Sequence, residues 1–310
     1  MSPVSVCVCT YKRPDSLRSL LQDLAEQVES PVVGEVVVVD NDFKASARDL
    51  VEKLAISYPV PLRYAMQPQQ NIAMTRNLSL QMAQGEWIAL IDDDERAPPH
   101  WLARLAQTAE AEQADGVFGP VIHELPSDAP DWLRRHNFYQ QPRYHTGECP
   151  PPGKLYTCNV LMRRATICSE PGPFDARYGL TGGSDVDLMG RLHAKGARLV
   201  WCDEAEVREL VERPRLKAGW LLRRFYRGGQ NYATFQLTGR LGPVTRTTRL
   251  ALALDTIAKL LIAVPMCLLT LPLPKHIQMR AACKLATQGG KLSAFFGGHY
   301  EEYRHVRARD

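Results

Sequence analysis

The chain has 310 residues, 45% of them hydrophobic and 23% charged, with a formal net charge of +4 at pH 7. That is enough apolar material for one sizeable domain plus an appendage, and it excludes a chain disordered throughout. The charge gives no reason to expect nucleic acid as a partner, and the eight cysteines show no paired metal-ligand spacing.

In chain order, "VSVCVCTY" reads as a strand and "RPDSLRSLLQDLAEQ" as an amphipathic helix opened by Pro and Asp. Cys7 and Cys9 alternate along that strand as small residues of one face. "GEVVVVDN" is a second strand ending in acid, and "LRYAMQ" and "EWIALI" are two more. Between the last two lies "NIAMTRNLSLQMAQG", a helix ended by Gly85. Strands and helices alternate over the first two hundred residues, the pattern of a Rossmann-like α/β layered domain. No glycine-rich fingerprint follows the first strand, so a dinucleotide site is not expected.

The stretch "LIDDDE" carries the sharpest chemical signal. Asp92, Asp93 and Asp94 repel one another at the end of a buried strand unless a cation or hydrogen-bond donors meet them. Ligand sites in open α/β sheets lie just beyond the carboxyl ends of strands, so a metal ion is expected there. From Leu125 to Pro152 the chain is rich in proline and aromatics and reads as an ordered loop or lid. Beyond Arg215 it becomes helical and basic, as in "KAGWLLRRFYRGGQNYATF", which sets a boundary between residues 1–215 and 216–310.

In order, "VCVCTYKRP", "VVVVDND", "NIAMTRN", "LIDDDE", "YTCNVLMRR" and "YGLTGGSDVDLMGRLHAKGARLVWCDEAEV" form a series that resembles the family 2 glycosyltransferases. These are nucleotide-sugar-dependent enzymes of the GT-A fold. The likeness is to bacterial exopolysaccharide members of the succinoglycan type, and it covers roughly residues 4–230. It implies a GT-A Rossmann-like mixed sheet flanked by helices, and the basic and apolar residues beyond it are expected to form a C-terminal helical, membrane-associating extension.

The resemblance also implies roles for particular residues. Thr10, Tyr11 and Arg13 would lie against a nucleotide sugar, expected to be a UDP-sugar, with Asp40 and Asn41 near the uracil. Many relatives have aspartate where this chain has Asn41, whose amide offers both an acceptor and a donor. Arg76 would meet the pyrophosphate, where a guanidinium fork suits phosphate oxygens. Asp92 and Asp93 would lie by the ribose or the metal, and Asp94, with Asp92, would ligate Mg²⁺ or Mn²⁺. Asp185 would be the general base that deprotonates an acceptor hydroxyl, which implies inversion at the anomeric carbon. The family commonly has glutamate where Ser184 stands. Many relatives also place a metal-binding histidine near "VREL", where Glu209 is the available substitute.

Two readings from outside this class compete with it. A nucleotidyltransferase shares the sheet and acidic site but releases pyrophosphate, and a non-catalytic sugar-nucleotide-binding assembly protein shows no turnover.

The segment "LALALDTIAKLLIAVPMCLLTLPLPKH" bears on location. From Leu260 to Leu273 it has fourteen residues without charge, short of the roughly 20 a spanning helix needs. Arg246, Arg249, Lys275, Arg280 and Lys284 flank it, so an interfacial or re-entrant helix on an anionic membrane surface is expected. The N-terminus lacks a basic start followed by a long apolar region, so no secretion signal is expected. The enzyme is therefore expected at the cytoplasmic face of the inner membrane, with a lipid-linked saccharide as acceptor.

Overall fold

A computed structural model gives the fold and describes residues 3–27, 33–136, 138–240, 242–298 and 300. The strands are β1 (Val4–Thr10), β2 (Val33–Asp40), β3 (Leu62–Met66), β4 (Trp87–Asp92), β5 (Glu95–Arg96), β6 (Gly116–Phe118), β7 (Val121–Glu124), β8 (Asn159–Arg163), β9 (Leu199–Trp201) and β10 (Val207–Leu210). The helices are α1 (Pro14–Ala25), α2 (Arg48–Ala55), α3 (Ile72–Met82), α4 (Trp101–Ala111), α5 (Asp131–Arg134), α6 (Arg164–Ile167), α7 (Ser184–Ala194), α8 (Ala218–Thr238), α9 (Arg246–Leu269) and α10 (Lys275–Phe295).

The chain divides into two compact units. The first lies within Met1–Ile122 and Gln141–Glu209, and the second within His123–Gln140 and Leu210–Glu302. A seven-stranded sheet in the order β3-β2-β1-β4-β8-β6-β9 organises the first unit. β1, β2, β3 and β4 run parallel, whereas β8 is antiparallel to both β4 and β6. This is the mixed α/β sheet flanked by helices that the sequence implies.

Both faces of the sheet are covered, so its central strands are near-continuous apolar runs. Val4, Val6, Val8, Val36 and Val38 pack under α1 and α4 residues such as Leu17, Leu20, Trp101 and Leu105. Cys7, Val37, Val39, Ile88 and Leu90 pack on the other face with Leu80, Leu188 and Met189. Cys7 is thus a core residue and gives its thiol hydrogen to the Ser79 carbonyl.

Two local expectations are corrected. α3 stops at Met82, before Gly85, so Gly85 is not its cap. That glycine is required by close approach, because a Cβ there would lie 2.7 Å from the Ser5 backbone nitrogen. The apolar C-terminal helix is also longer than its uncharged run. α9 has 24 residues and is long and apolar enough to cross a membrane, with 11% of its most apolar 18-residue window buried. Asp255 and Lys259 lie within it and pair one turn apart, at 2.6 Å.

In the second unit, α10 packs along α8, and the core beneath them gathers Trp132, Leu133, Phe138, Tyr139, Leu221 and Met279. The proline-rich stretch supplies α5 and the aromatics Trp132, Phe138 and Tyr139 to this core.

Candidate active site

Parallel strands end together, and here β1, β2 and β4 bring Thr10, Asp40 and Asp92 to one edge: Thr10 is opposite Asp40, and Cys9 is opposite Asp92. Just beyond that edge, the Thr10 hydroxyl donates to Asp93 at 2.7 Å. Arg13 bridges two of the three aspartates, 3.1 Å from Asp93 and 2.7 Å from Asp94. Arg76, on α3, lies 3.8 Å from Asp92 and 5.6 Å above the Phe174 ring. Lys12, in the left-handed region at φ +54°, sets its ammonium 5.3 Å above the Tyr11 ring. The fold therefore joins Thr10, Arg13, Arg76, Asp92, Asp93 and Asp94 in one charged network.

Asp40 and Asn41 are deployed differently. Asp40 is fully buried and accepts from the Asp42 and Ala47 amides and from Tyr64. Asn41 donates to the Gln67 and Gln69 carbonyls and accepts from the Asn71 amide. Both side chains brace loops at the sheet edge.

Repulsion among the acids is visible in their proton affinities. Burial pushes Asp93 up to about 7, with Arg13 opposing and Asp94 adding to the rise. Asp92 is pushed up to about 6 in the same way, opposed by Arg76 and reinforced by Asp94 and Glu209. The Asp92 side chain is 42% exposed, so water screens its charge more than that of Asp93, and Asp93 gives the cleaner test.

A raised carboxyl keeps its proton in the native state after the unfolded chain has lost it, so metal-free stability falls as pH rises from about 4 to about 7. We expect the melting temperature of the metal-free wild type, relative to Asp93→Asn, to drop across that window in a pH series. A constant difference between the two proteins would contradict the burial of Asp93 as an acid.

The sequence reading gave no role to Glu95, yet it sits at the centre of the acidic group. It is 1% exposed and accepts the Asp92 amide at 2.9 Å, and burial next to Asp92 holds its carboxyl well above the usual range. Glu209 is directly opposite Glu95 in the β5–β10 pairing, which brings its charge to bear on Asp92. The signal for Glu95 was its place at the end of the acidic run, but its partner comes from a distant strand.

Asp185 is in the first turn of α7. Gly182 and Gly183 take φ values of +75° and +101°, conformations that favour glycine, and swing the chain into the helix. Gly183 occupies the cap position and Ser184 is the first helical residue, with no capping bond from its hydroxyl. One Asp185 oxygen accepts the Val186 amide.

The thiol of Cys158, just before β8, relates this helix to the sheet edge. Burial raises its proton affinity most, and the charges of Glu95, Asp92, Asp185 and Glu209 raise it further. Carboxylates from β4, β5, β10 and α7 thus all act on this one thiol.

Residues 5–168 match the profile described as Glycosyl transferase family 2. The chain belongs to glycosyltransferase family 2. It is 35% identical over 230 residues to the succinoglycan biosynthesis protein ExoM of Rhizobium meliloti, a match covering 74% of each chain. It is 25% identical over 245 residues to the glucosyl-dolichyl phosphate glucuronosyltransferase of Haloferax volcanii, covering 73% of this chain and 75% of that one. Among solved structures, S. aureus TarS 1-349 in complex with UDP-GlcNAc superposes with a TM-score of 0.54 at 16% identity, covering 96% of this chain and 93% of that one. The mannosyltransferase PcManGT of Pyrobaculum calidifontis, in complex with GDP-Man and Mn²⁺, gives 0.62 at 17% identity, covering 96% and 88%. These likenesses show that the family 2 chain has the GT-A fold.

Proposed function

We propose that this family 2 member is an inverting, metal-dependent glycosyltransferase of polysaccharide biosynthesis, moving a sugar from a UDP-sugar to a lipid-linked saccharide. The observation that carries the reading is the Asp92, Asp93 and Asp94 cluster at the end of β4, met by Arg13, Arg76 and Thr10, with Asp185 in the first turn of α7. One carboxylate set lies at the sheet edge, where a diphosphate is bound in such folds, and a separate carboxylate lies at the start of α7. A base on the side opposite the leaving nucleotide would take the proton of an acceptor hydroxyl, whose oxygen attacks the anomeric carbon as the nucleoside diphosphate departs, so the configuration inverts. The names of two relatives, a succinoglycan biosynthesis protein and a dolichyl phosphate glucuronosyltransferase, agree with this substrate class.

The residues fit a hard divalent cation. Among the described residues no three His, Cys, Asp or Glu side chains form a ready-made metal cage. Mg²⁺ and Mn²⁺ do not require one, since they keep waters and are held by one or two carboxylates together with substrate phosphates. Asp94 and Asp92 would hold the ion, and Glu209, near Asp92, is a further oxygen donor. The cation would neutralise the charge gathering on the leaving diphosphate. Arg13 and Arg76 hold the acids and phosphates in register, while Thr10, Tyr11 and Asp93 line the nucleotide side. Asp40 and Asn41 act through the loops they brace.

The test is incubation of the full chain with a panel of nucleotide sugars and a bacterial lipid extract, with and without EDTA. Free UDP and a glycolipid product, both abolished by EDTA, are expected. Release of pyrophosphate would instead mark a nucleotidyltransferase, and binding without turnover a sugar-nucleotide carrier. EDTA-resistant turnover would overturn the metal assignment.

We place the enzyme at the cytoplasmic face of the inner membrane, attached through α9. The helix exposes Leu250, Leu254, Ile257, Leu261, Ile262, Leu268 and Leu269, and Arg246, Arg249, Lys275, Arg280 and Lys284 flank it. Leu261→Glu combined with Leu268→Glu puts charge where the side chains are 71% and 63% exposed, so folding is spared. Each charge costs about 2.5–3.5 kcal/mol in lipid. Sedimentation with phosphatidylglycerol vesicles should disappear while UDP binding persists. Unchanged sedimentation would refute attachment through α9.

A further inference from the structure

The loop carrying Asp185 is held from α3, the helix that also carries Arg76. Asn77 makes a reciprocal pair with the backbone of Phe174: its amide donates to the Phe174 carbonyl at 2.8 Å, and its carbonyl accepts the Phe174 amide at 2.9 Å. Two turns earlier, Asn71 accepts the Met74 amide as the cap of α3 and donates to the Ala176 carbonyl at 2.9 Å. Gly179 packs so closely on Asn71 that a Cβ there would lie 1.9 Å from the Asn71 side-chain oxygen. The Asn71 backbone amide in turn donates to Asn41, which ties the same point to the end of β2.

Phe174, Ala176 and Gly179 are thus fixed to one rigid helix, and five residues separate the last of them from Asp185. Phe174 is also the ring beneath the Arg76 guanidinium. α3 therefore spaces the arginine that meets Asp92 from the segment that delivers the other carboxylate. A base must stand within about 3 Å of the proton it removes, and misplacement by 1 Å can cost a hundredfold in rate.

We propose that Asn71 and Asn77 are positioning residues for the transfer reaction: they hold the Phe174–Gly179 segment so that Asp185 stands at a fixed place relative to the Arg76–Asp92 pair. This rests on the reading of Asp185 as the base. Neither side chain is assigned a contact with substrate, so their effect is on turnover rather than on donor binding.

Asn71→Asp separates this role from folding. Aspartate caps a helix as well as asparagine does, so the bond from Met74 is kept, but a carboxylate cannot donate to the Ala176 carbonyl and is repelled by it. Asn77→Asp likewise keeps the acceptor for the Phe174 amide and loses the donor.

Three measurements on the full chain in detergent decide the matter: hydrogen exchange of the peptides covering 172–183 and of α3, calorimetric titration of UDP with Mn²⁺, and kcat and KM for UDP release with the active donor and lipid extract. Exchange in 174–179 should rise at least tenfold in either variant with α3 unchanged, and UDP affinity should stay within twofold. kcat should fall roughly 10- to 100-fold at a near-constant donor KM. Unchanged exchange, unchanged kcat, or equal losses of kcat and UDP affinity would each overturn the proposal. A wild type that binds no UDP and turns nothing over would sink the functional reading instead, and exchange would still report whether the two asparagines hold the segment.

Discussion

Asp185→Asn is expected to lower sugar transfer by roughly a hundredfold to ten-thousandfold, the usual contribution of a positioned general base. The substitution keeps the size of the side chain, and its remaining oxygen can still accept the Val186 amide that Asp185 accepts now. The helix start is fixed by Gly182 and Gly183 rather than by this residue, so the fold should be unaffected. What is lost is the ability to take a proton. UDP affinity in the presence of Mn²⁺ should change little, because Asp185 belongs to α7 and the proposed diphosphate contacts lie at the ends of β1 and β4. Asp94→Asn should behave in the opposite way, weakening metal and nucleotide binding together, since it removes an anionic ligand and frees Arg13 from one partner. Calorimetric titration beside a transfer assay distinguishes the two patterns. If Asp185→Asn transfers at a near-normal rate, the base lies elsewhere. Asp187 is the nearest alternative, but it is fully buried and held by Arg191 at 3.0 Å.

Why was so much of this site legible before any coordinates? The parallel strands announce themselves as valine runs because a sheet covered on both faces has no polar side to show. Their ends are marked by acids, and Asp92, Asp93 and Asp94 are costly enough together to demand an explanation from charge alone. The glycines before Ser184 likewise mark a turn that few other residues can make.

What could not be read depends on pairings between distant segments. The opposition of Glu95 and Glu209 is a register between two short strands far apart in the chain. The three hydrogen bonds of Asn41 run to the Gln67–Asn71 loop, a pairing that the residues around it in sequence do not announce. The 24 residues of α9 run straight through Asp255 and Lys259, which a count of uncharged residues does not see.

The second large effect concerns folding, and adjacent glycines test it internally. α8 and α10 meet backbone to backbone at Gly229 and Gly290. A Cβ on Gly229 would lie 2.0 Å from the Thr287 carbonyl oxygen, and one on Gly290 would lie 1.9 Å from that of Tyr226. Neither obstacle is a flexible side chain, so the helices would have to separate. Separation would loosen the Gln230–Ser293 hydrogen bond. Replacing a helical glycine by alanine gains about 1 kcal/mol of helix propensity. Overpacking of this kind costs about 3 kcal/mol or more, so destabilisation wins. The neighbouring positions give the opposite sign. A Cβ on Gly228 meets nothing within 4 Å, and one on Gly289 makes an ordinary 3.7 Å contact with the Tyr226 ring. Gly228→Ala and Gly289→Ala should therefore be neutral or slightly stabilising, while Gly229→Ala and Gly290→Ala should lower the melting temperature by roughly 5–10 °C. Thermal unfolding followed by tryptophan fluorescence measures all four, since Trp132 and Trp220 lie in this unit. Equal melting temperatures across the four variants would mean that the two helices do not approach as closely as described.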